Sequence, residues 1–107
     1  MSEIIKAVYL VNEIYSTYGT GDHCHIVIDD GNIQDECVDS CLNRLYKNTE
    51  YPLKDKSIQI QFLLLFKTLS LKDRELVLHL TQYITNEEIE DTDPILVEEI
   101  KALREGD

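Results

Sequence analysis

The sequence predicts a mainly α-helical single domain over 1–107: about five helices around one core, with a short β-strand or hairpin near residues 23–28. Three observations predict it. Apolar residues recur at spacings of three and four over long stretches, the period of a helix with one buried face. Only four Gly and two Pro punctuate 107 residues, so disorder is not the default reading. The exception to helical spacing is HCHIVI at 23–28, where Ile26, Val27 and Ile28 make a β-prone run.

The elements follow in order. Over 2–18, Ile4, Val8, Val11, Tyr15 and Tyr18 line one stripe, with Ser2 placed to cap the helix. Gly19 and Gly21 end it. After the β-prone run, DDGN at 29–32 is a turn in which Gly31 can take a positive φ. A second long helix runs from Ile33 or Asp35 to Lys47, with Val38, Leu42 and Leu45 as core candidates, Cys41 beside them, and Asp35 and Glu36 suiting its first turn. NTEYPLKDK at 48–56 reads as a connection broken by Pro52. Residues 57–69 are apolar almost all round, including Ile60, Leu63, Leu64 and Leu65, which marks a central buried helix. Ser70 caps the next helix, with Asp73 three residues on, and Leu76, Val77, Leu80, Tyr83 and Ile84 form its stripe. Asp93 and Pro94 open a last helix through Leu103 or Arg104.

Charge bounds the function. Ten Lys and Arg face 21 Asp and Glu, a formal net charge of −11. No basic footprint exists for direct nucleic-acid binding, and an anionic membrane surface would repel the chain. A basic protein partner fits, because complementary potentials steer encounter; bare solubility is the alternative. The longest apolar run, FLLLF at 62–66, is too short to span a bilayer, and the first residues lack the pattern of a signal peptide. A cytosolic protein is expected. In that compartment an odd number of clustered cysteines suggests a metal or catalysis more than disulfides.

The cluster is DHCHIVIDDGNIQDECVDSC at 22–41, which holds all three cysteines and two of the three histidines. In a strand, His23 and His25 face one way and Cys24 the other. On a helix, Cys37 and Cys41 share a face. A tight turn at DDGN would bring His25, Cys37 and Cys41 towards one point, with a fourth ligand from Asp29, His23 or Cys24. Thiolate, imidazole and carboxylate suit tetrahedral zinc. Three cysteines fall short of an iron–sulfur site, and DDGN lacks the EF-hand pattern. Two other readings compete: small core thiols, and a reactive thiol. His79, alone in ELVLHL, reads as packed rather than as a ligand, and the tyrosines as amphipathic packing.

HIVIDDGNIQDECVDSC resembles a segment of small proteins of phages and prophages. Their pattern is close to Gly-Gly-x-Leu-His-Ile-Val-Leu-Asp-Asp-Gly-Asn, with His and Cys on the following helix. The matching positions here are His25, Asp29, Asp30, Gly31, Asn32 and Cys41; Cys37 stands where the pattern has His. His23 and Cys24 fall at variable positions, and Thr20, Gly21 and Asp22 replace the glycine pair imperfectly. The likeness covers about residues 19–41. The expected site is a structural zinc on His25, Cys37 and Cys41, with Asp29 as the fourth ligand ahead of His23 and Cys24. Acidic phage proteins of this size include anti-CRISPR inhibitors, some acting on type II effector nucleases. The resemblance thus implies a non-enzymatic inhibitor that docks on a basic host defence nuclease and blocks its nucleic-acid loading.

The expected docking surface is acidic: Glu87, Glu88, Glu90, Asp91 and Asp93 in NEEIEDTD at 86–93, with Glu98 and Glu99. Residues 85–107 hold nine acids and two bases. Two alternatives stand beside it. One is a zinc- or cysteine-dependent hydrolase with Cys41 or Cys37 as nucleophile, His25 as its base, or Glu36 as base beside zinc. The familiar signatures for such enzymes are missing. The other is a regulatory interaction module without enzymatic activity, with SIQIQFLLLF as an oligomer face.

Overall fold

The computed structural model describes residues 3–18, 24–50 and 52–82. Among the described residues are five helical segments: α1 (Glu3–Tyr18), α2 (His25–Ile28), α3 (Asp35–Lys47), α4 (Leu53–Thr68) and α5 (Leu71–Thr81). The mainly helical expectation holds. Ser2, Gly19, Gly21, Tyr83, Ile84 and the last predicted helix lie outside the described residues, as does His23.

The strand expected at 23–28 is corrected: its described part is a helical turn. Among the described residues no strand exists to pair with one, so an extended segment would leave its N–H and C=O groups unmet. The turn meets them locally. The Cys24 carbonyl accepts from the amides of Val27 at 3.0 Å and Ile28 at 2.8 Å, and the His25 carbonyl from those of Asp29 at 2.8 Å and Asp30 at 3.1 Å. The β-branched side chains still serve burial. Val27 is fully buried, and Ile26 and Ile28 pack against the core. Gly31 follows at φ +71°, the one positive φ among the described residues.

α1 is the central element, packed against both α4 and α5. That double contact explains why its buried arc is wider than one stripe: Ile4, Val8 and Val11 are joined by Ile5, Ala7, Leu10 and Ile14. Tyr9 and Tyr15 pack at the margin. α3 buries Val38, Leu42 and Leu45, as its spacing predicts, and Cys41 with them, and it packs against α4. Its acids at the start and Arg44 and Lys47 at the end both oppose the helix dipole favourably.

α4 starts four residues earlier than the sequence suggests. Pro52 sits at its N-cap with φ −55°, so the residue read as a break sets up the first turn, where the Lys56 amide reaches the Pro52 carbonyl. Its core face is Gln59, Phe62, Leu63 and Phe66, with the two Phe rings 5.1 Å apart and tilted. Leu64, expected in the core, is 47% exposed.

The α4–α5 junction follows the predicted cap. Leu69 and Ser70 are extended, and the Asp73 amide donates to Ser70 Oγ at 3.2 Å. Val77 is buried, and Leu76 and Leu80 pack against the core. His79, expected to be packed, is exposed. Among the described residues no helix is long and apolar enough to cross a membrane.

Candidate functional site

The helical turn at α2 rearranges the cysteine–histidine segment. Cys24 turns inward and is buried, while His25 is half-buried and Asp29 lies exposed one turn further on. Asp29 is engaged: the Tyr15 hydroxyl of α1 donates to its carboxylate. Burial first, then that bond and the negative charge of Asp29, push the Tyr15 phenol far above its ordinary value.

Cys37 and Cys41 share a face of α3, as the spacing requires, Cys41 buried and Cys37 half-buried. Burial, with Cys41 as neighbour, pushes the Cys24 thiol far up. Burial likewise raises Cys41; Arg44 opposes this and Cys37 adds to it. These are the surroundings of packing thiols. The nucleophile is the thiolate, and apolar burial suppresses it.

The chemistry of the donor set suits zinc, but its placement does not. Among the described residues no group of three or more His, Cys, Asp and Glu side chains could hold a metal ion. The four expected ligands His25, Asp29, Cys37 and Cys41 are all described, and they are not gathered.

The structure instead builds a polar joint that spacing did not reveal, centred on Arg74 of α5. The side chain is 3% exposed, and each of its three nitrogens has an acceptor. Nε donates to the carbonyls of Phe66 at 2.9 Å and Leu69 at 3.1 Å. Nη1 donates to the Ile33 carbonyl at 2.6 Å. Nη2 donates to Asp35 Oδ1 at 2.6 Å and to the Lys67 carbonyl at 2.8 Å. The guanidinium also lies 5.7 Å from the Phe66 ring centroid, within cation–π range.

The joint solves a specific problem. A helix leaves its last four carbonyls without intrahelical donors. Arg74 meets those of Phe66 and Lys67 at the end of α4, while Thr68 Oγ1 meets that of Leu65 at 2.6 Å. Its other end holds the entry to α3. Three helices therefore meet at one planar fork of donors, a geometry that lysine does not offer.

Above the joint lies an open, mostly polar cleft of about 490 Å³, lined by Gln34, Asp35, Glu36, Lys67 and Ser70 among others. Its charges are largely spoken for. Asp35 holds Arg74, and Lys67 holds Asp39 at 2.5 Å, a hydrogen bond that raises the Lys67 pKa. Of the expected acidic docking surface, Glu87, Glu88, Glu90, Asp91, Asp93, Glu98 and Glu99 all lie outside the described residues.

Comparison with protein-family models, with curated proteins and with solved structures finds no match to this chain.

Proposed function

We propose that this protein acts by binding: it presents an acidic surface to a basic protein partner, and the resemblance at 19–41 directs attention to a phage-type inhibitor of a host defence nuclease. The observation that carries the reading is the charge. A net charge of −11 on 107 residues, with nine of 21 acids in residues 85–107, complements the basic channels that hold guide and target strands in RNA-guided nucleases. Docking there would block nucleic-acid loading. The burial that pushes the Cys24 and Cys41 thiols up favours this over a hydrolase with Cys41 as nucleophile.

The test is binding to a purified type II effector nuclease, with and without guide RNA. Exchange of Glu87, Glu88, Glu90, Asp91 and Asp93 for Lys is expected to weaken binding at least about a hundredfold, and rising salt to weaken the wild type. Undiminished binding by the reversed variant would reject this surface. Failure of the wild type to bind either form would reject the nuclease as partner.

Zinc is a separate matter, because the described side chains are not gathered around one point. Elemental mass spectrometry decides it. One zinc per chain, lost in Cys41→Ala, would mean that the 24–41 segment closes on a metal in an arrangement different from this one.

A further inference from the structure

We draw no further inference here: the strongest candidate, the exposed apolar face of α4 that carries Leu53 and Leu64, supports none, because nothing in the structure shows what covers it.

Discussion

Arg74 and Gln59 are both almost fully buried, 3% and 2% exposed, and they are satisfied in opposite ways. Arg74 carries a full charge into the protein and gives it four carbonyls and a carboxylate. Gln59 carries no charge, yet its Oε1 has no hydrogen-bond partner. The difference teaches that burying polarity is neither good nor bad in itself. A group whose partners are supplied by loose backbone ends becomes a joint. A group left half-met in an apolar layer is a cost that the surrounding packing must offset.

The comparison breaks most visibly at Arg74. Arg74→Leu removes the donors and leaves the Ile33 and Lys67 carbonyls without the bonds described above. The expected loss is about 2–4 kcal/mol, because a buried carbonyl left without its donor costs about 1–3 kcal/mol, measured by urea unfolding. Arg74→Lys should recover little of it, because one ammonium cannot serve acceptors arrayed around a plane. Asp35→Asn should cost under about 1 kcal/mol, since Asp35 is 64% exposed and water can replace it. A loss below about 1 kcal/mol for Arg74→Leu would mean the joint does not hold the three helices.

At Gln59 the sign reverses. Gln59→Leu keeps a similar volume and removes the unmet oxygen. Stability should rise by about 1–2 kcal/mol, because an unsatisfied buried acceptor costs about that much. A clear loss would show that Oε1 is met by a buried water, whose removal is costly.

These two residues also mark the limit of what the sequence discloses. Periodicity reveals Ile4, Val8, Val11, Val38, Leu42 and Leu45 because burial against a neighbouring helix repeats every turn. The Ser70–Asp73 cap is equally visible, being a contact across three residues. Arg74 is not visible. Its partners at Ile33 and Asp35 lie 41 and 39 residues away, and an arginine on a helix looks like surface until the chain folds. The helical turn at 25–28 escaped for a related reason. β-branched residues favour strands only where another strand can pair with them, and pairing is a property of the whole fold. The zinc expectation leaned on that strand, since the alternation of His23, Cys24 and His25 aimed the ligands. With α2 helical, Cys24 is buried, Asp29 is engaged by Tyr15, and the proposed set does not converge.

The smallest effect concerns the third kind of buried heteroatom, the thiols, which are treated as apolar atoms until they ionise. Cys24 has an ordinary value of 9.0 and is raised by burial in the folded chain, with Cys41 raised as well. Below about pH 9 both states keep these protons and stability is unaffected. Above it the unfolded chain releases protons that the folded chain retains, so stability falls as pH rises. The slope approaches about 1.4 kcal/mol per pH unit for each thiol. Tyr15 adds to it only above its own ordinary value of 10.0. Urea midpoints in reductant between about pH 8 and pH 10 measure this decline, and Cys24→Ala should reduce its slope. An identical slope in the variant would place the titration elsewhere. The retained slope in Cys24→Ala should in turn fall on adding Cys41→Ala, since the first substitution leaves Cys41 buried.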